Sequence, residues 1–446
     1  MPRDNGLGTL NSSLLQRVGI EEALSAALLA FFAMQGAIPG ISPNQANEMT
    51  NTAATGLMKA VGIGSQVLVS GTICTLALFH LRRLRRFTFA LQWTAVVAAF
   101  AICSTLWSQD AATSIRRSVP FALATIFALY LGSRFQIRQQ LSIFVATMVV
   151  MASATVILAL FVPSIGLEAS RGHFGNWQGV FTQKNACGRA MVFATAALLS
   201  AGRVNVTRLA CFLLFLFVLV MSGSRGAWVI EGLLLLCYGL LRIFGRFQPA
   251  SRTLLLLGSI VAAVTAAITV WVYFPLIAEL LGRDSTLSGR TAIWEQVWVA
   301  ILKHPILGYG FAAFWQGMKG ESYNVILALR FVILHAHNGF LEIWLELGAV
   351  GLLLFFLSYV RAWRKLWPIL RSGMMGSAFW MVFVLLLLGA YDLEESTLLT
   401  FNGLFWVLYV TAIVDVEIIA LEQQCKRNRW SLLRSEADPV PAHAVV

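Results

Sequence analysis

The sequence predicts an all-α, polytopic integral membrane protein with about twelve transmembrane helices, and three observations carry that prediction. Hydrophobic residues fill 58% of the 446 positions and charged residues only 12%, whereas a soluble domain is about one-quarter charged. Apolar runs recur that approach the roughly 20 residues needed to cross a bilayer. Lys and Arg gather in alternate connections between those runs, as topology signals do. The net charge of +12 would suggest nucleic acid in a soluble protein. Here the cations flank apolar spans and set orientation, so no nucleic-acid partner is expected.

The candidate spans lie near 20–40, 57–79, 88–107, 119–133, 141–162, 186–202, 209–223, 226–241, 253–274, 339–360, 375–391 and 397–417. Glu21 and Glu22 precede the first run and no small-residue cleavage site follows it, so it reads as a membrane helix rather than a signal peptide. With the N-terminus inside, one side collects LRRLRRF, Arg134 and Arg138, Arg203 and Arg208, Arg242 to Arg252, Arg361 to Arg371 and Lys426 to Arg434. Both termini are then cytoplasmic. The chain divides into an N-terminus at 1–19, spans one to nine over 20–274, a long outer loop at 275–338, spans ten to twelve over 339–417, and a tail at 418–446. The six cysteines include no CxxC pair and read as small core residues.

The cations on the opposite side stand among glycine, serine and aromatic residues, and several mark helix starts. Lys184, Asn185 and Gly188 open the sixth span, Ser222 to Gly226 with Arg225 open the eighth, and His337, Asn338 and Gly339 open the tenth. In SGRTAIW, Ser288 is placed as an N-cap and Arg290 in the first turn of a non-spanning helix. A helix N-terminus with an adjacent cation is an anion site, and a guanidinium grips a phosphate through two parallel hydrogen bonds. One such arginine could equally snorkel to lipid headgroups. Recurrence at separate helix starts favours function.

Asn338, Glu342 and Glu346 share one face of the tenth span. Glu342 is therefore a catalytic candidate, with a buried structural ion pair as the alternative. At the mouth of that helix His337 could take a proton from a hydroxyl, or could be a hydrogen-bonded interface residue; His335 cannot share its helical face. Ile293, Val297 and Ile301 at four-residue spacing predict that the helix from Arg290 to His304 lies along the membrane surface. Trp177, Trp294, Trp298 and Trp315 fit interfacial anchoring better than sugar stacking. No DxD, Walker, HExxH or GxSxG motif is present. Neither metal nor cofactor is expected, and the substrate should arrive already activated.

SGSRGAWV, SGRTAIWEQVWVAILKHPILGYGF and HAHNGFLEIWLELGAVGL resemble, in order and spacing, the O-antigen ligase and Wzy-type polysaccharide polymerase superfamily of bacterial inner membranes. RGHFGNWQGVFTQKNACG is similar to its ExoQ-type exopolysaccharide branch. The resemblance implies a GT-C-like membrane glycosyltransferase in the inner membrane, with 275–338 as a periplasmic catalytic loop. It implies metal-independent, inverting transfer from an undecaprenyl-diphosphate-linked glycan to a sugar hydroxyl. Arg225 and Arg290 would hold the diphosphate, Lys184 would be a third contact, and His337 would assist the attacking hydroxyl. Polymerase and ligase both fit, and a chain-length regulator would accompany a polymerase. A transporter or flippase would need access from both faces, against the clustering of cations on one.

Overall fold

The structure, a computed structural model, describes residues 19–39, 56–168, 175–202, 205–244, 290–371 and 375–437. The predicted ninth span, Arg171, His173, Arg283 and the Ser288 cap lie outside the described residues. The helices are α1 (Ile20–Ala33), α2 (Gly56–Phe79), α3 (Leu81–Phe87), α4 (Gln92–Cys103), α5 (Ala111–Arg134), α6 (Ile137–Phe161), α7 (Lys184–Ser200), α8 (Val206–Met221) and α9 (Arg225–Phe244). They continue with α10 (Arg290–Lys303), α11 (Gly320–Leu329), α12 (Gly339–Arg371), α13 (Met375–Glu394) and α14 (Leu404–Ala437).

Among the described residues five helices are long and apolar enough to cross a membrane: α2, α5, α6, α12 and the part of α14 up to Cys425. A bent pair over Leu81–Leu106 makes a sixth candidate. The protein is an all-α, multi-pass membrane protein. Several predicted spans take shorter form; α1 has 14 residues and α8 has 16.

One apolar core runs through the bundle and includes Phe121, Phe127, Phe193, Phe215, Trp406 and Tyr409. Burial of such rings is the main driving force for packing the parts of helices that face protein rather than lipid. Trp406 keeps its indole N–H satisfied by donating to Thr125 Oγ1 at 2.8 Å. A smaller core joins α10, α11 and the start of α12 around Ile293, Val297, Ile301, Phe314 and Leu345. The stripe that predicted a surface helix in α10 therefore packs on protein rather than on lipid. Trp298 on another face is 44% exposed. Trp177 and Trp315 are buried as well, so neither is free to anchor at the membrane interface or to stack on a sugar.

α5 begins earlier than predicted because Asp110 caps it, accepting from the Thr113 N–H at 3.0 Å. That draws Arg116 and Arg117 into its first turns. Arg117 is buried and donates to the Ala312 carbonyl at 2.6 Å.

α12 is broken at Gly348, whose φ of 67° and ψ of −173° only glycine adopts readily. The segment 305–310 fills the break. Tyr309 and Gly310 N–H groups donate to the Leu345 and Glu346 carbonyls at 3.0 and 2.9 Å, while Ala349 and Val350 N–H groups donate to Pro305 and Ile306 at 2.9 and 3.2 Å. Backbone groups that a break would leave bare in an apolar setting are thus paired. A Cβ at Gly348 would overlap the Ile306 carbonyl. Gly348→Ala is therefore expected to lose about 2 kcal/mol from backbone strain alone, plus the cost of that overlap. Thermal unfolding in detergent should show a lower midpoint than wild type, and an unchanged midpoint would mean the break is not required.

Candidate active site

Four helix starts, those of α7, α9, α10 and α12, meet the C-terminal end of α13, where Asp392, Glu394 and Glu395 interrupt an apolar stretch. Glu395 is the hub. Its Oε1 lies 3.2 Å from His337 Nδ1, 3.2 Å from Asn185 Nδ2 and 3.5 Å from Arg290 Nη2. Its Oε2 lies 3.7 Å from His335 Nδ1 and 3.9 Å from Arg189 Nη1. Burial alone would raise the Glu395 pKa, but the His337 hydrogen bond and the charges of His335 and Arg189 outweigh it and hold the carboxyl well below the usual range. An ionised carboxylate only accepts hydrogen bonds. His337 Nδ1 must then carry a proton, and in the neutral ring that tautomer leaves Nε2 with its lone pair.

The local backbone serves this arrangement. His337 takes a left-handed conformation, φ 51°, uncommon for a residue with a side chain. Asn338 caps α12 by accepting from the Leu341 N–H at 3.0 Å. Gly339 lies so close to Asp392 that a Cβ would overlap its carboxylate. Glu342 is buried and accepts from Trp315 Nε1 and from the Ala336 N–H, both at 2.6 Å, and from Ser396 Oγ at 3.3 Å. It thereby fixes the turn that carries both histidines. Glu346, one turn on, is buried beside Glu342 and Arg117.

The two predicted arginines approach the same acidic pair. Arg290 Nη1 lies 3.6 Å from Glu394 Oε1, and Gly226, next to Arg225, packs directly against the Glu394 carboxylate. Arg225 is exposed, and Lys184 is buried with Glu168 and Arg225 as charged neighbours. Ser224 Oγ donates to Asn185 Oδ1 at 3.1 Å, linking the starts of α9 and α7. The structure therefore brings Arg290 and His337 to one carboxylate, while Lys184 and Arg225 begin the two helices whose next residues, Asn185 and Gly226, touch Glu395 and Glu394. Sequence reasoning missed Glu394 and Glu395 altogether and gave Arg189 no role. The signal was available in DLEES, three acids lodged between two apolar runs.

His335, His337 and Glu395 offer ligand atoms within 4.8 Å of one another. A divalent cation there would sit beside the Arg189 and Arg290 guanidinium groups that already share the carboxylate, an unfavourable addition of like charge. The donor set fits an anion-facing histidine pair better than a metal.

His335 supplies a pH prediction. Burial, opposed by Glu395 and reinforced by His337, Arg189 and Arg290, pushes it down to about 4 from 6.5. Between those values the unfolded chain binds more protons than the folded one, so stability falls as pH falls through that window. His335→Gln removes the proton uptake, and thermal unfolding between about pH 7 and 5 should become flatter in that variant. An identical slope would place His335 in water.

Residues 210–356 match the Wzy_C family, described as O-antigen ligase. The matched segment contains Arg225, Arg290, His337 and Glu342; Lys184, Arg189 and Glu395 lie outside it. The chain is also 28% identical over 286 residues to the exopolysaccharide production protein ExoQ of Rhizobium meliloti, covering 60% of this chain and 64% of that protein. Two proteins provisionally named polysaccharide ligases are similar too. The one from Rickettsia conorii is 30% identical over 36% of this chain and 40% of its own length, and the one from Rickettsia prowazekii is 36% identical over 18% and 24%. The chain thus spans just under two thirds of the ExoQ protein and less of the other two.

Proposed function

We propose that the protein is a membrane glycosyltransferase that joins lipid-diphosphate-linked oligosaccharide repeat units into an exopolysaccharide or surface polysaccharide. The observation that carries this is the meeting of Arg290 and a carboxylate-held His337 on Glu395, with Arg225 at the helix start that packs on Glu394 through Gly226. The likeness to ExoQ, whose name concerns exopolysaccharide production, supports it. The undecaprenyl carrier, the location in the bacterial inner membrane with cytoplasmic termini, and a chain-length regulator as partner belong to the same reading.

In this mechanism the acceptor hydroxyl gives its proton to His337 Nε2 as its oxygen bonds to the anomeric carbon of the donor sugar. The bond from that carbon to the diphosphate oxygen breaks, its electron pair leaves with the diphosphate, and the configuration inverts. Arg225 and Arg290, with Lys184 nearby, hold the leaving charge, so stabilisation appears where charge develops. Glu395 fixes the tautomer and orientation of His337, as a carboxylate does for a catalytic imidazole elsewhere. Glu342, committed to three donors, acts as a positioning residue. No metal or nucleotide is required, since the diphosphate is already the leaving group.

A second reading, transfer of the finished glycan to a different acceptor such as a lipid A core, is favoured by the O-antigen ligase match and the two ligase names. Purified protein in liposomes, given lipid-diphosphate-linked repeat units, chelator and no nucleotide, separates them. A ladder of longer lipid-linked glycans supports the polymerase. Transfer only after lipid A core is added supports the ligase, and movement of donor between leaflets without transfer would return a flippase.

A further inference from the structure

Behind Glu395 lies a cavity of about 230 Å³, lined among others by Gln35, Thr182, Gln183, His335, Ser396 and Phe401. We propose that this cavity is the subsite for the terminal sugar of the acceptor glycan. The proposal rests on the transferase reading above and assigns a place to the substrate that reading leaves unplaced.

Glu395 divides the centre into two sides. The groups on its Oε2, His335 and Arg189, line the cavity; the groups on its Oε1, His337, Asn185 and Arg290, do not. Arg225 and Lys184 are also absent from the cavity wall. Arg290 thus stands on one side of the carboxylate and the cavity, with Arg189 in its wall, on the other. An inverting displacement needs its nucleophile to approach away from the leaving group, so the cavity side belongs to the acceptor. His335 and His337, with ring centroids 4.0 Å apart, bridge the two sides.

The wall chemistry suits a sugar. Amide, hydroxyl and carboxylate groups alternate with Leu334, Ile343, Leu398 and Phe401, giving hydrogen-bonding groups for ring hydroxyls and apolar surface for the C–H face. Thr182 Oγ1 donates to Gln35 Oε1 at 2.8 Å, which leaves the Gln35 NH₂ with no partner among the described residues. Buried Arg189 likewise has Nε and Nη1 without hydrogen-bond partners among the described residues. The volume lies below the roughly 300–1,000 Å³ of drug-sized pockets, which fits one sugar unit rather than a chain.

A second observation points to the same place. Side-chain-bearing residues with positive φ are costly and gather at functional sites. Among the described residues there are six: Gln35, Ala312, Arg330, His337, Leu399 and Asn402. Gln35, Ala312 and Leu399 line the cavity, and His337 stands at its far side across Glu395. Asn402 packs on Gly36, next to Gln35.

The test uses the full chain in liposomes, with saturating lipid-linked donor. The varied acceptor is a lipid-free oligosaccharide released from the producing strain's polysaccharide, and inorganic diphosphate serves as an inhibitor that reads the cationic side. Thr182→Val and Gln35→Met each remove hydrogen-bonding capacity at near-constant shape. Each should raise the acceptor KM about tenfold with kcat and diphosphate inhibition unchanged, and Thr182→Ser should behave as wild type. An unchanged acceptor KM in active Thr182→Val and Gln35→Met overturns the subsite while leaving the transfer reading intact. A wild-type protein that neither transfers nor responds to diphosphate overturns both.

Discussion

Glu395→Gln is expected to lower kcat for glycan transfer by about 100-fold or more, the range a positioned general base contributes, with little change in donor KM. The argument is one of tautomers. Glutamate accepts from His337 Nδ1 and leaves Nε2 basic; glutamine can present its NH₂ to Nδ1 and stabilise the form in which Nε2 is protonated and useless as a base. His337→Ala should lose at least as much, and the two changes together should cost little more than either, because they disable one device. Single-turnover rates in liposomes, normalised to folded protein, are the measurement. Wild-type kcat in Glu395→Gln would show that the base does not depend on this carboxylate. A stability effect accompanies the kinetic one. The Glu395 pKa is depressed by folding from its reference of 4.5, so its stabilisation is present above that value and is lost as pH falls through the folded one. The variant should therefore differ most from wild type near neutrality and converge with it in strong acid.

Arg290→Lys should reduce transfer about 100-fold at unchanged membrane abundance, comparable to losing one preorganised donor to a developing anion. Lysine keeps the charge and loses the fork that binds two oxygens at once. In the structure Arg290 already spans two carboxylates, with Nη1 toward Glu394 and Nη2 toward Glu395 at 3.6 and 3.5 Å, so the fork is in use before any diphosphate arrives. Arg225→Lys should behave similarly. If both arginines hold one diphosphate, the double variant should lose less than the product of the single losses. Independent, multiplicative losses would assign them to separate groups, and wild-type turnover in Arg290→Lys would sink the clamp.

Much of this site was legible because helix starts announce themselves. Lys184, Arg225 and Gly339 each stand at the first position of a helix in the structure, as the Gly, Ser and Asn patterns around them required. His337 was legible for the same reason, one cap residue before α12. Glu395 was not, because its meaning is tertiary. It follows the end of α13, and only packing brings it to α7, α10 and the turn before α12 at once. α10 was legible as a helix but not in its environment. Its Ile293, Val297 and Ile301 stripe fits a membrane surface and a small protein core equally well, and Tyr309, Phe314 and Leu345 decide the matter. The break at Gly348 left only a glycine in an apolar run as its trace, and the strap that fills it comes from about 40 residues upstream.

That strap has a mechanical consequence. Segment 305–310 follows α10 almost directly and is stitched into α12, with Trp344 Nε1 donating to the Pro305 carbonyl at 2.9 Å as an added fastening. Arg290 begins one of these helices and His337 precedes the other, so the span between clamp and base is set by a single braced frame rather than by two helices free to slide. The frame acts as a gauge block: in the mechanism proposed above it would hold diphosphate and hydroxyl at a constant separation whatever the length of glycan attached to either. The starts of α7 and α9, with Lys184 and Arg225, lie outside this frame, so the spacing the chemistry depends on does not run through them.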